Sequence, residues 1–493
     1  MAEYTVGIDL GTTNTVCWTY ENTLEPIKLD RDYLLPSVLL YKDGVVTIGN
    51  RAKARLLREP ESIIGSSKSY MDDVSKVWEI HGRKFTPTDV AHEILKKVNQ
   101  AAKQHFQTEE PISAVITVPA YFTASEYART KKAAEQAGFQ VKQIISEPMA
   151  AAIAYGLGEG DGSILVIDIG GGTFDLCLLR KETTTNQEQV FKTLYTGGDK
   201  KLGGDNFDDI MVELCYSALR TQHMLDLSTQ ERSGLSEEEY NVVCQKIRQQ
   251  SEKAKVLLSS LEETEIEITN LCQYNGRPIN FRLPITRAEY EKACDTLLKR
   301  IRRIITRCDG EAAFDKDSIE KIIFVGGTSN MPCIRNFIKE YFGKEPYADK
   351  DLSSLVAMGA AIHARKDDDL VKISIQDTLS HSLGVRVKDG RFSIILERGA
   401  TYPMEKQKTY YTVGEKQDHV IVAIYEGENL MDVEANKFYD DFRLDNIKTG
   451  KGVPIDVLFR IDADRTLHVT ASDQATGATE SIKITIPKSG EQL

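Results

Sequence analysis

At 493 residues the chain exceeds what one hydrophobic core can serve, so two to four domains are expected. With 41% hydrophobic and 28% charged residues, it has the composition of an ordinary soluble globular protein. A net charge of −12 and a pI near 5.4 disfavour nucleic acid or an anionic membrane surface as partner, and no apolar run approaches the roughly 18 residues that span a bilayer.

In chain order, Val6-Gly7-Ile8 is an apolar strand that runs into Asp9 and a Gly-Thr-Thr turn. Val90, Ile94, Val98 and Ala101 recur at the helix period. Residues 114–118 read as a buried strand, and 125–137 as an Ala-rich helix that stops at Gly138. A second buried strand occupies 164–169. One long charged helix covers 237–260, with Val242, Ile247, Ala254 and Leu257 inward. Residues 322–325 form another strand, which enters Gly326-Gly327.

Near residue 366 the texture changes. Lys366-Asp367-Asp368-Asp369 is a charged break, and beyond it come alternating runs at 420–425, 455–461, 467–471 and 482–486. Turn signals such as Asp389-Gly390 and Thr449-Gly450 separate them, the pattern of a β-sandwich. The expected division is an α/β part over 1–365, a linker over 366–377 and an all-β part over 378–493. Eight cysteines, scattered without a C-x-x-C pair, fit neither a zinc site nor a disulfide framework and point to reduced thiols in the cytoplasm. The first residues lack a basic stretch, so no secretory signal is expected, and the last four are not a retention signal.

One repeat carries the chemistry. Residues 6–13 and 166–173 share a plan of strand, Asp, Gly-rich turn and Thr, about 160 residues apart. Glycines let the backbone N–H groups approach a phosphate, Thr hydroxyls add donors, and a carboxylate at each strand end can orient the waters of a Mg²⁺. A single Asp-x-Gly turn is commonplace. Two at matching register, with a third Gly-Gly turn after another strand, suit a metal-triphosphate held between two lobes. No P-loop motif occurs.

The segments VGIDLGTTN (6–14), VPAYF (118–122), EPMAAAIAYG (147–156), IDIGGGTFD (167–175), LGGDNFD (202–208), VGGTSNMP (325–332) and MGAA (358–361) closely resemble the seventy-kilodalton heat-shock chaperones (DnaK-like). The resemblance continues through SHSLGV (380–385), ERGATYP (397–403), YEGE (425–428) and IDADRTLHVTASD (461–473). It implies a multidomain protein: an actin-like ATPase domain with two lobes around a nucleotide cleft, then an all-β sandwich that binds extended hydrophobic peptides. It also implies ATP, Mg²⁺ and K⁺ as cofactors, a J-domain co-chaperone and a nucleotide exchange factor as partners, and a monomer.

Residue by residue, the resemblance makes Asp9, Gly11, Thr12, Thr13 and Asn14 the first phosphate turn and Gly170, Gly171, Gly172 and Thr173 the second. Gly203 and Gly204, and Gly326, Gly327 and Thr328, complete the nucleotide contacts. Asp9, Asp168 and Glu147 would hold a metal mostly through water, with Asp175 beside them, and Lys68 would position the attacking water. Glu252, Lys255 and Ser259, on one face of the long helix, would meet the base and ribose. Val385, Lys388, Tyr410, Val413, Val420 and Val422 would form the peptide groove and its arch.

Departures mark this chain. Val256 and Asn330 stand where the family has the two Arg side chains that flank the purine, which predicts weaker ATP binding or less strict discrimination between bases. Lys388 replaces an apolar arch residue, while Val413 is apolar, which predicts a preference for acidic or less hydrophobic peptides. Pro119 matches the family's switch proline, but Tyr127 takes the place of its Arg partner. Gln143 and Ser146 replace J-domain docking residues, while Asp377 is retained. The linker reads Ile373-Ser374-Ile375-Gln376 instead of a continuous apolar run, and the chain stops soon after residue 487, so the family's helical lid is expected to be missing. Two other readings stay open: an ATP-sensing regulator with weak hydrolysis and one dedicated client, and a small-molecule kinase or filament protein on the same ATPase fold.

Overall fold

The computed structural model describes residues 4–484, apart from 57, 121, 157–159, 187, 200, 312–315, 348–353, 366–372, 380 and 463–465 and the side chains of 124 and 308–311. The start of the expected linker, Tyr121, Ser380 and the expected strand residues 485 and 486 lie outside it.

Strand β1 (Thr5–Leu10) runs antiparallel to β2 (Asn14–Tyr20) and parallel to β3 (Ile112–Val118), which pairs in parallel with β4 (Phe139–Ser146). Every residue of β3 is buried, as expected of a strand covered on both faces. Helix α1 (Pro87–Phe106) and helix α2 (Ala124–Gln136) both open on a capping box, from Thr86 and Thr123. Gly138, at φ +93°, turns the chain out of α2. Helix α3 (Glu147–Gly156) is apolar on all sides, and Met149–Ile153 are fully buried.

The plan then repeats. Strand β5 (Gly162–Ile169) pairs antiparallel with β6 (Phe174–Thr183), and β6 with β7 (Gln189–Asp199). Helix α4 (Gly204–His223) and helix α5 (Glu237–Leu258) pack over this sheet, and β8 (Ile319–Val325) joins β5 in parallel. Each central strand, β1 or β5, thus has a hairpin partner on one side and a parallel partner on the other. In α5 the inward face is Val243, Ile247, Ser251, Ala254 and Leu258. Leu257, expected inward, is 44% exposed and Val242 only half-buried, because the neighbouring residues Val243 and Leu258 complete the 3.6-residue stripe.

Helix α6 (Pro332–Phe342) follows the Gly326-Gly327 turn, and helix α7 (Leu355–Ala364) then crosses between the two sheets. Small residues allow the crossing. A Cβ on Gly359 would run into the Ala150 carbonyl of α3, and one on Gly7 into the backbone of Ala360 and Ala361. A bridging core of Val115, Ala150, Val166, Ile323, Val356 and Ala360 joins the halves here.

From within the expected linker to one residue past it, Ile373–Thr378 form strand β9, which pairs in parallel with β7 in the register Phe191↔Ile375. Ile373 and Ile375 pack on the bridging core, and Gln376 faces out. The alternation of Ile with polar residues is that of a half-buried strand, and its partner lies about 180 residues back, so only the tertiary fold exposes it. After β9 come antiparallel sheets. Strands β10 (Leu383–Arg386), β11 (Phe392–Leu396), β14 (Val420–Glu426) and β15 (Lys437–Leu444) form one, in the order β11-β10-β14-β15. Strands β13 (Met404–Tyr411), β16 (Pro454–Ile461), β17 (Leu467–Ser472) and β18 (Thr479–Lys483) form the other. They enclose one core that includes Ile424, Phe459, Leu467 and Val469. The short strand β12 (Thr401–Tyr402) pairs with β9, so one sheet continues from β8 to this second part.

Candidate functional site

The turns after β1, β5 and β8 converge. Gly11 to Thr13 follow β1, and Gly170 to Thr173 join β5 to β6. They touch: a side chain on Gly171 would overlap the Thr13 hydroxyl, and one on Gly172 would come within 3.6 Å of Thr12 Cγ2. The start of α4 docks on the second turn, with Gly204 N–H donating to the Gly170 carbonyl at 2.9 Å and Asp205 N–H to that of Gly171 at 2.7 Å. Gly203 lies so close to Gly171 and Gly172 that no Cβ fits. From the third turn, the Thr328 hydroxyl donates to the Gly170 carbonyl at 3.1 Å, and Gly326 holds φ +76° against Asp168 and Ile169.

These turns floor a cleft of about 1070 Å³ between the two sheets. Its walls bring together the expected Asp9, Gly11, Thr12, Thr13 and Asn14 with Lys68, Glu147, Asp168, Gly170, Gly171 and Thr173. Gly204, Gly326, Gly327 and Thr328 line it as well, as do Glu252, Lys255 and Ser259 from α5. Gly172 packs against Ser69 and Thr12, and Gly203 against Gly171 and Gly172. Asp175 lines an adjoining cavity of about 440 Å³ with Thr12, Lys68 and Thr173.

At the deep end, Lys68 Nζ meets Glu147 Oε1 at 2.5 Å, both nearly buried. The Thr117 hydroxyl donates to Asp9 Oδ1 at 3.1 Å. Burial pushes Asp9 up to about 7, with the Glu147 charge adding to it. Burial and Glu147 likewise raise Asp175 to about 7. Asp168 is driven well above the carboxylate range by burial, then by Glu147, Asp175 and Asp9. Burial alone would lower the Lys68 ammonium, but Glu147 and Asp9 outweigh it and raise it. Four carboxylates thus share one ammonium, and Asp175 Oδ1 is buried with no hydrogen-bond partner among the described residues. A divalent cation fits such a deficit of positive charge. Among the described residues no three His, Cys, Asp or Glu groups converge closely enough to ligate it directly, so water would complete its shell.

On the outer side, Lys255 Nζ lies 2.8 Å from Asp208 Oδ1 and donates to the Gly204 carbonyl at 3.2 Å. Arg248, Asp205, Asp208 and Arg335 also line the cleft. Sequence reasoning missed all four. Arg248 carried a signal, four residues before Glu252 on the same helix face; Arg335 sits on α6 and carried none.

In the second part, Val385 and Val422 are buried in its core, with Tyr410 and Val420 packed against it. The Tyr410 hydroxyl lies 3.0 Å from Ser393 Oγ. Lys388 and Val413 stand on exposed turns outside that group. The two parts meet at β9, where the Asp377 carboxylate accepts from Thr193 and Tyr402, and at Lys437, which donates to the Thr123 hydroxyl at 3.1 Å. Gln143, expected on a docking surface, pairs its Oε1 with His363 Nε2 at 2.7 Å. Among the described residues no helix is long and apolar enough to cross a membrane.

A family model described as Hsp70 protein matches residues 71–492. The chain is similar to the "Chaperone protein DnaK" of Thermotoga petrophila, at 36% identity over 98% of this chain and 80% of that protein. The protein of that name from Thermotoga maritima matches to the same extent, and the one from Thermotoga neapolitana at 35% identity over the same shares.

Proposed function

The chain belongs to the Hsp70 family, and from that premise we propose that it is an ATP-dependent chaperone whose ATPase cycle governs its grip on short extended hydrophobic segments of unfolded proteins. In this reading residues 1–365 are the actin-like ATPase domain, 366–377 the connection and 378–493 a peptide-binding β-sandwich. The observation that carries it is the interlocked pair of Gly-Thr turns at equivalent strand ends, with Lys68, Glu147, Asp9 and Asp168 grouped at their floor.

The turn amides and the hydroxyls of Thr12, Thr13 and Thr173 would bind the phosphates, aided by the N-terminal end of α4. Asp9, Asp168 and Glu147 would hold the water shell of Mg²⁺. When bound, Mg-ATP supplies the phosphoryl group that passes to water. Lys68, fixed by Glu147, would orient that water and meet the charge that develops, and Asp175 would take up a proton nearby. Glu252, Lys255 and Ser259 would meet the ribose and base. Val385, Tyr410, Val420 and Val422 would shape the peptide site, with Lys388 and Val413 above it. K⁺, a J-domain protein, a nucleotide exchange factor, a monomeric state and a cytoplasmic setting, where the described cysteines stay free thiols, complete the proposal.

Steady-state phosphate release with and without an extended hydrophobic peptide tests it. Peptide-stimulated release is expected. A rate indifferent to peptide points to the regulator, and phosphate appearing on a small metabolite to the kinase.

A further inference from the structure

The base end of the cleft lacks the two guanidinium groups expected to flank a purine: Val256 is 60% exposed, and Asn330 is a short, neutral, exposed residue. A cation nevertheless stands there. Helix α6 begins two residues after Asn330, and Arg335, on its first turn, lines the same cleft as Val256, Ser259 and Asn330.

The neighbouring charges are already engaged. Arg248 is tied to Asp209 at 2.8 Å, Lys255 to Asp208 at 2.8 Å, and Lys339, one turn beyond Arg335, to Glu345 at 2.7 Å. Among the described residues, Arg335 makes neither an ion pair nor a hydrogen bond. Its guanidinium carbon lies over the Phe324 ring at 5.9 Å, the outer limit of a cation–π contact, and, alongside Lys339, which is paired with Glu345, its charge helps lower that carboxylate. A half-buried guanidinium backed on one side by an aromatic ring, with no ion pair or hydrogen bond among the described residues, beside the mouth of the cleft, is a group able to stack on a heterocycle with its other face.

Resting on the ATP-binding reading above, we propose that Arg335 is the purine-stacking residue of this chain. It takes over from one helical turn away what positions 256 and 330 do not supply. The base would lie with one face on Arg335 and the other toward the short neutral wall at Val256. The selectivity would be for a flat aromatic base over a base-free polyphosphate.

The test is a calorimetric titration of the full chain with Mg-ADP and, separately, with Mg-tripolyphosphate, which has no base. Arg335→Ala should weaken Mg-ADP about three- to thirtyfold and leave tripolyphosphate unchanged. Arg335→Lys keeps the charge but loses the planar face, and should recover little of the loss. The proposal is overturned if Mg-ADP binding does not change, if both ligands weaken equally (a phosphate contact), or if Arg335→Lys restores binding fully (charge alone). Failure of the unsubstituted chain to bind Mg-ADP would instead remove the ATP-binding reading, and this proposal with it.

Discussion

The Asp377 carboxylate is shared between two hydroxyls from opposite parts of the chain: Thr193 donates to Oδ1 at 2.8 Å and Tyr402 to Oδ2 at 2.9 Å. It sits on β9, so the Thr193 bond forms only when β9 lies against β7, and the Tyr402 bond only when β12 lies against β9. Tyr402→Phe removes one bond of this relay and should cost about 1 kcal/mol, more where the bond to the charged carboxylate counts fully. Amide hydrogen exchange over 373–378 checks it: exchange should quicken there in Tyr402→Phe while β5 and β6 keep their protection. Unchanged exchange in β9 would show that the relay does not hold the strand.

At the deep end of the cleft, Lys68 is, among the described residues, the ammonium that acts on Asp9, Glu147, Asp168 and Asp175. Lys68→Ala should lower ATP turnover by a hundredfold or more, in line with the roughly 3–4 kcal/mol lost with a preorganised catalytic donor. Nucleotide binding should persist, because the turn amides remain. Single-turnover hydrolysis beside a binding titration separates the two effects.

Asp9 and Asp175, both raised to about 7, give the protein without ligand a pH dependence. An unfolded aspartate ionises near 3.8, so between about pH 4 and 7 the folded protein holds protons that the unfolded chain releases. Ligand-free stability should therefore fall as pH rises through that window and level off above it. In the proposed site Mg-ATP would need the ionised forms, so its affinity should move the other way, rising about tenfold from pH 6 to pH 8 for each carboxyl that must lose its proton. Thermal melts without ligand and titrations with it, run across this range, should show opposite slopes.

Restoring the missing guanidinium groups tests the outer end. The pair Val256→Arg and Asn330→Arg should tighten ATP binding by about 0.5–2 kcal/mol for each stack formed. A calorimetric titration with no change would show that the base does not lie between these positions.

The crossing of α3 and α7 depends on Gly359, whose missing side chain lets the helix rest on the Ala150 carbonyl. Gly359→Ala should destabilise the protein by about 1–3 kcal/mol through overpacking, even though alanine favours helix. A lower Tm reads this directly; an unchanged Tm would mean the helices can part freely.

Much of this was legible in the sequence, and for a physical reason. Strands such as β3 and β5 are covered on both faces, so they appear as unbroken apolar runs, and the Gly-Thr turns announce a backbone that must approach something closely. The grouping of Lys68 with Glu147 came only through resemblance, since 79 residues separate them. Leu257 was misplaced because adjacent residues on a helix differ by about 100°, too little for a mixed pattern to separate from Leu258. The pairing of β9 with β7 and the place of Arg335 depend on contacts between distant segments that no local pattern encodes.

The shared strand has a practical outcome for anyone who divides the molecule. Stopping the chain at Arg365 would strip β9 from β7 and leave Gln189–Lys192 as a bare sheet margin, with unpaired amides and carbonyls ready to recruit another copy. A first part that runs on through Thr378 carries its own cover for that margin, and should stay dispersed where the shorter piece clumps.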